Sequence, residues 1–288
     1  MGTVWELDYY SRPILDDNEK RLWEVLVCES PLEADRRSET LFRYAQYCPS
    51  TQVNSLWLQE ALQNAIAQAP QPPDEIRFFR RQMTNMINKA CEDLGIPCEV
   101  SRRTFALNHW LQERQQLVYP DHPGFQPGAT PSVSYETTAP QPLPDALVGQ
   151  QWAFVTLEVS AFAEMPDWEI AFTRAFPLTM LRLAPDTKIP GLVIFSQRAL
   201  ALAGWMSGLE LAFLKMDDRG AKPRLLLETG MSDRWILANL VTPQLQSEAQ
   251  GFEQAKQAAQ QVHFLAVQSD PEAESFAGFW LLQELNLA

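Results

Sequence analysis

The sequence predicts an α/β protein built as two domains with mixed sheets, and three observations predict it. Short runs rich in β-branched and aromatic residues alternate with segments of helical spacing in both halves of the chain. Seven prolines crowd the stretch from Pro120 to Pro144, with glycine, serine and threonine between them and no hydrophobic period of 2 or 3.6. The 288 residues, 46% hydrophobic and 20% charged, have a globular composition and length for two ordinary domains. The expected boundaries are an N-terminal domain over 1–119, a proline-rich linker over 120–146 and a C-terminal domain over 147–288.

In the first half, Val4 to Tyr10 and Arg21 to Cys28 read as strands, with Leu15-Asp16-Asp17-Asn18-Glu19 as the hairpin turn. A helix opens near Pro49 and runs to about Ala69, followed by a strand over Glu75 to Phe79. Gln82 to Leu94 is a helix closed by Gly95, Pro97 to Ser101 a strand, and Thr104 to Leu117 a helix. In the second half, strands are expected over Gln151 to Ser160, Gly191 to Phe195, Trp235 to Leu240 and Val262 to Val267. Leu209 to Met216 and Arg224 to Glu228 form a hairpin about Asp217-Asp218-Arg219-Gly220. Helices are expected over Pro166 to Arg174, Gln197 to Trp205, Pro243 to Gln261 and Ser275 to Leu285.

Composition excludes several classes. No window approaches the ~18 unbroken apolar residues of a membrane span, and the start shows no basic-then-apolar secretory leader. Cys28, Cys48, Cys91 and Cys98 lack CxxC spacing and only three histidines accompany them, so reduced thiols and no metal site are expected. His109 reads as packing and His263 as a core residue, while His122 falls in the linker. GxGxxG, GxxxxGK[ST], GxSxG and HExxH motifs are absent, so neither an enzyme nor a cofactor is expected. The net charge of −13 argues against a broad nucleic-acid coat, because phosphate contacts need a basic footprint. Residues 1–120 carry 13 basic and 17 acidic side chains, a net of −4, and the remainder 10 and 19, a net of −9. A nucleic-acid face therefore belongs to the first half.

Two strand-to-helix junctions there combine arginine with aromatics: Arg77-Phe78-Phe79-Arg80-Arg81, and Arg102-Arg103-Thr104-Phe105 followed by Trp110 and Arg114. Guanidinium groups fork onto phosphate and stack on bases, and aromatics stack on unpaired bases. At one sheet edge, Arg77, Phe79, Arg80, Arg81, Arg102, Arg103, Trp110 and Arg114 would form an RNA platform. The competing reading makes Phe78, Phe79 and Phe105 core and the arginines covers for helix ends.

The second half also shows the order helix, three strands, helix, strand, which is that of restriction-endonuclease-like nucleases. Asp217, Asp218 and Glu228 would be the metal-holding acids. Thr229-Gly230 follows Glu228 where such enzymes carry Glu-x-Lys, so a non-catalytic relative of that fold is the better reading.

Four segments carry a family resemblance: Trp5 to Asp17, Asp233-Arg234-Trp235-Ile236-Leu237-Ala238-Asn239-Leu240, Gly251-Phe252-Glu253-Gln254-Ala255-Lys256, and Phe276-Ala277-Gly278-Phe279-Trp280-Leu281-Leu282. In these the chain resembles the Tab-type RNA-binding proteins of cyanobacteria and chloroplasts. The resemblance implies a non-catalytic role in translating the message of a photosystem I core subunit, with the messenger leader as RNA partner. It also implies translation or photosystem assembly proteins as further partners, and a cytoplasmic location or one peripheral to thylakoids. The alternatives from other classes are an assembly scaffold and a metal-dependent nuclease.

Overall fold

Alternation along the first strand decides the layering of the N-terminal half. In β1 (Val4–Leu15), Trp5, Leu7 and Tyr9 face one side, while Glu6, Asp8, Tyr10 and Arg12 face the other. The computed structural model of this chain describes residues 2–32, 40–128, 138–149, 151–174, 177–220 and 222–285. The chain divides into two units, the first holding Met1–Leu32 and Arg37–Ser134 and the second Tyr135–Glu284.

In the first unit, β1 pairs antiparallel with β2 (Arg21–Glu29), with Tyr10 opposite Glu24 and Glu6 opposite Cys28. The turn between them is held by Asp16, whose Oδ1 accepts from the N–H groups of Asn18 and Lys20, both at 2.9 Å. β2 pairs antiparallel with β3 (Arg43–Cys48), a strand the sequence pattern does not announce. On its other side β1 runs parallel to β4 (Glu75–Phe78), and β4 parallel to β5 (Cys98–Val100), giving the order β3-β2-β1-β4-β5. The crossovers are α1 (Ser55–Gln68), capped by Asn54, and α2 (Thr84–Leu94), closed by Gly95 at φ 70°. Their buried faces meet Trp5, Leu7, Tyr9, Val25, Val27, Ile76 and Phe78 in one apolar layer. α3 (Phe105–Leu117) packs over β1 and β2.

In the second unit, β7 (Gln151–Glu158), β8 (Ile170–Arg174), β9 (Lys188–Phe195), β13 (Val262–Gln268) and β14 (Phe276–Gln283) form a sheet in the order β7-β9-β13-β14-β8. A second sheet, β10-β11-β12-β6, contains β10 (Leu211–Asp217), β11 (Arg224–Thr229), β12 (Asp233–Asn239) and β6 (Gln141–Pro142). α4 (Ala199–Ser207) and α5 (Pro243–Ala258) contribute to a core the two sheets share.

Two expectations are corrected. Ser275 to Leu285 is not a helix: Phe276–Gln283 within it is β14, a strand paired with β13 and β8. A short continuous apolar run does not reveal its period, and here Trp280 and Leu282 turn to one core while Phe279 stacks on Phe264 at 5.1 Å on the other face. Gly278 is required within it, because a Cβ there would overlap the Trp280 ring. Pro166 to Arg174 is likewise not a helix: a 3-10 segment, Val159–Asp167, precedes strand β8. The restriction-endonuclease-like order of elements is present, but β13 leaves the β10-β11-β12 meander and pairs with β9 in the other sheet.

The proline-rich stretch is docked at both described ends. Gly124 accepts from Leu15 N–H and Pro13 from Gln126 N–H, each at 2.8 Å, and Gln141 and Pro142 pair with Trp235 and Ile236. Residues 129–137 of the expected linker lie outside the described residues.

Side chains finish the exposed edge of β10. Leu214 N–H donates to His263 Nε2 and Leu214 C=O accepts from Lys256 Nζ, both at 2.8 Å, and Met216 N–H donates to Glu253 Oε1 at 2.8 Å. Lys256, fully enclosed on α5, also meets Glu253 and Glu284 at 2.8 and 2.7 Å. An edge strand whose peptide groups are already engaged offers no template for another chain.

Burial, with Lys256 nearby, lowers His263 to about 3. The folded value lies below the unfolded one, so the stability this neutral ring supports is present above about pH 6.5 and is lost as pH falls toward 3. A glutamine amide in its place would accept from Leu214 N–H without titrating. Between pH 7 and 4.5, His263→Gln should therefore lose roughly 2 kcal/mol less than the parent, measured by urea unfolding at each pH. Gly191 lies under the Phe264 ring, which a Cβ would overlap. Gly191→Ala should destabilise by about 1–3 kcal/mol in the same assay.

Candidate functional site

The second face of the N-terminal sheet carries ionisable side chains at alternate positions through the central strand, and these are enclosed. Glu6, Asp8, Arg12, Glu24 and Arg80 are all buried. Buried charge is tolerated only when paired and hydrogen-bonded. Asp8 Oδ2 receives Arg12 Nη1 at 2.8 Å and Asp8 Oδ1 receives Arg80 Nε at 2.6 Å. Glu24 Oε2 receives Arg12 Nε at 2.9 Å and the Tyr119 hydroxyl at 2.6 Å, while Oε1 receives Arg114. Two carboxylates and three guanidinium groups leave this network one positive charge in excess. Burial pushes the Asp8 carboxyl up, but Arg80 and Arg12 together pull it below its ordinary range. The Arg80 guanidinium also lies over Tyr10 at 4.1 Å and Phe79 at 4.7 Å, and its Nη1 is enclosed without a hydrogen bond among the described residues.

Glu6 takes a different role. It accepts from Ser30 Oγ at 2.7 Å and from Leu107 N–H at 2.8 Å in the first turn of α3, so it anchors that helix to the sheet. Burial raises it to about 8 against these donors. Its contribution to stability therefore fades as pH rises from about 4.5 to 8.

The eight residues singled out from the sequence divide sharply. β4 and β5 are adjacent and parallel, so their carboxyl ends bring Arg80-Arg81 and Arg102-Arg103 to one sheet edge. Such an edge is where open α/β sheets take ligands. Arg81 is exposed there and Arg103 half-buried. Arg80 and Phe79 are enclosed, and Arg102 is buried. Arg77 is tied to Glu75 at 3.0 Å and Glu99 at 3.3 Å. Trp110 is buried between Arg43 at 5.3 Å and Arg114 at 5.6 Å. Stacking a base on Phe79 would require the fold to open. Sequence reasoning missed Asp8, Arg12, Glu24 and Tyr119. The signal was present as polar residues at every second position, Glu6-x-Asp8-x-Tyr10-x-Arg12, through an otherwise apolar strand.

The acids of the nuclease alternative are not assembled. Asp217 is opposite Arg224 and Glu228 opposite Phe213, four strand residues or roughly 13 Å apart. Asp217 Oδ1 is taken by Arg219 Nε at 2.8 Å. Among the described residues no group of three or more His, Cys, Asp or Glu side chains is placed to hold a metal ion.

Fold and site together define a mixed α/β protein with a small arginine edge on an acidic body. Comparison with known proteins narrows this. Residues 4–114 match the N-terminal domain, and residues 130–283 the C-terminal domain, of the RNA-binding protein Tab2/Atab2. The chain belongs to the Tab2/Atab2 RNA-binding protein family. It is 39% identical to "Protein TAB2 homolog, chloroplastic" of Arabidopsis thaliana, over 98% of this chain and 74% of the relative. It is 38% identical to the protein of the same name from Zea mays, over 98% and 71%. Among solved structures, the BIV integrase catalytic core domain matches at 11% identity and TM-score 0.27, covering 40% of this chain and 68% of that one. The HTLV-2 integrase catalytic core matches at 14% and 0.25, covering 42% and 76%. Likeness at that level carries no conclusion.

Removing one member of the buried network leaves a charge enclosed without its partner. Arg80→Met should cost about 3–5 kcal/mol in urea unfolding, whereas Arg81→Ala, one residue away in solvent, should stay within about 0.5 kcal/mol.

Proposed function

We propose that this chain is a non-catalytic RNA-binding factor that acts in translation and biogenesis of photosystem subunits, taking a messenger leader as its RNA. The observation that carries the reading is the family match through both units, at 39% identity to a named relative. The arginine edge at the ends of β4 and β5 supports it as the contact surface, with Arg81 and Arg103 as the phosphate contacts and Arg77 and Arg114 at its margins. Phe79, Arg80 and Arg102 lie buried just past the ends of β4 and β5, and Trp110 is buried on α3. Recognition through a small edge suits a protein of net charge −13, since affinity then comes from few phosphates and from unpaired bases. Translation or photosystem assembly proteins would supply further contacts, in the cytoplasm or at the thylakoid surface, and the two relatives are themselves named chloroplastic. No described helix is long and apolar enough to cross a membrane.

Binding of a labelled photosystem I messenger leader against a scrambled control, with magnesium and across a salt series, tests this. Selective binding to intact RNA is expected. Arg81→Ala with Arg103→Ala should weaken it several-fold and lower the salt slope by roughly 1 to 1.5, because each lost phosphate contact removes about 0.7. Absence of RNA binding would point to a protein scaffold, and shortening of the probe would return the nuclease reading.

A further inference from the structure

Cys91 and Cys98, with six residues between them and no CxxC spacing, are brought together by the fold. Cys91 lies in the last turn of α2, and Cys98 opens β5, the edge strand of the sheet. Gly95, in the left-handed conformation, turns the chain back, and Ile96 N–H donates to Cys91 C=O at 3.0 Å. Cys98 Sγ lies 3.3 Å from Asn88 Oδ1, one helical turn before Cys91 on the same face of α2. Cys91 belongs to the apolar layer under the sheet, and Cys98 packs against that same layer. Cys98 is half-buried and Cys91 enclosed.

We propose that Cys91 and Cys98 form a reversible intramolecular disulfide, a redox modification site that ties the end of α2 to the edge strand β5. The oxidant is a disulfide, either a small-molecule one or that of a dithiol protein. Cys98, as thiolate, attacks one sulfur of that disulfide, forms a mixed disulfide and expels the other sulfur as a thiolate. Cys91, giving up its proton to solvent, then attacks Cys98 Sγ, closes the Cys91–Cys98 bond and expels the second thiolate. The protein is oxidised by two electrons and the oxidant is reduced to two thiols. The order follows from position, since only Cys98 is open to an incoming disulfide. The neighbouring Cys91 also lowers Cys98, while Cys98 and burial raise Cys91. Cys28 and Cys48 stand apart from this chemistry: Cys28 is enclosed, with its thiol pushed well up by burial, and Cys48 is in contact with the Tyr9 hydroxyl at 3.3 Å.

The full chain should be equilibrated in reduced and oxidised glutathione at graded ratios, denatured in iodoacetamide and cut with trypsin. Cuts after Lys89 and Arg102 release residues 90–102, which contain both cysteines. Under oxidising ratios this peptide should become two hydrogens lighter and resist alkylation, and dithiothreitol should restore it, while Cys28 and Cys48 remain alkylated. In Cys91→Ser, Cys98 should accumulate as the glutathione mixed disulfide. In Cys98→Ser, Cys91 should stay a thiol under the same conditions. Circular dichroism of each variant checks that it is folded. Recovery of residues 90–102 with two alkylated thiols at every ratio would overturn the proposal. So would a lasting glutathione adduct on Cys98 in the parent chain.

Discussion

The N-terminal unit depends on a constraint set by its central strand: Asp8 and Glu24 lie inside the fold as carboxylates, and every element that covers them must bring a positive charge or a donor. Arg12 comes from β1 itself, Arg80 from the end of β4, Arg114 from α3 and Tyr119 from the turn after α3. Stabilisation by such a network over a purely apolar layer is not assured, because desolvation offsets most of the attraction. It does give position. A guanidinium held by a carboxylate fixes where β4 ends and α3 lies, and the chain leaves β4 and β5 at the same end of the sheet, with Arg81 exposed and Arg103 half-buried. Arginine in this unit thus has two uses, architecture beneath the sheet edge and charge upon it.

The second unit meets a different constraint, the unfinished edge of β10. Lys256 and His263 serve the two peptide groups of Leu214, one from a helix and one from a strand of the neighbouring sheet. The bonds join two sheets that share a core but no ladder, so each side chain both satisfies an edge and fixes the contact between layers. The same position makes His263 neutral at ordinary pH.

Much of this was legible in the residues, and the failures have physical causes. The β1–β2 hairpin, α1, α2 with its Gly95 stop and the β10–β11 hairpin followed from local signals: alternation, a cap, a left-handed glycine, a polar turn. β14 was misread because FAGFWLLQ is apolar at nearly every position, and only pairing to β13 and β8 decides between helix and strand. The arrival of both arginine junctions at one edge was anticipated from strand-to-helix order alone. Which arginines face water was not, since that depends on Asp8 and Glu24, whose partners lie up to 95 positions away in sequence. The Cys91–Cys98 contact was hidden for the opposite reason: it is local, but its spacing carries no motif.

On the proposed function, the arginines at one sheet edge divide into a buried structural set and a surface set that meets RNA. Modification of the folded chain by an arginine-selective dicarbonyl, mapped by mass spectrometry with and without bound leader RNA, tests it most directly. Arg81 and Arg103 should react in the free protein and be protected by RNA, while Arg12 and Arg80 stay unmodified in both. Reaction of Arg80 in the free protein, or equal modification of Arg81 and Arg103 with and without RNA, would contradict it.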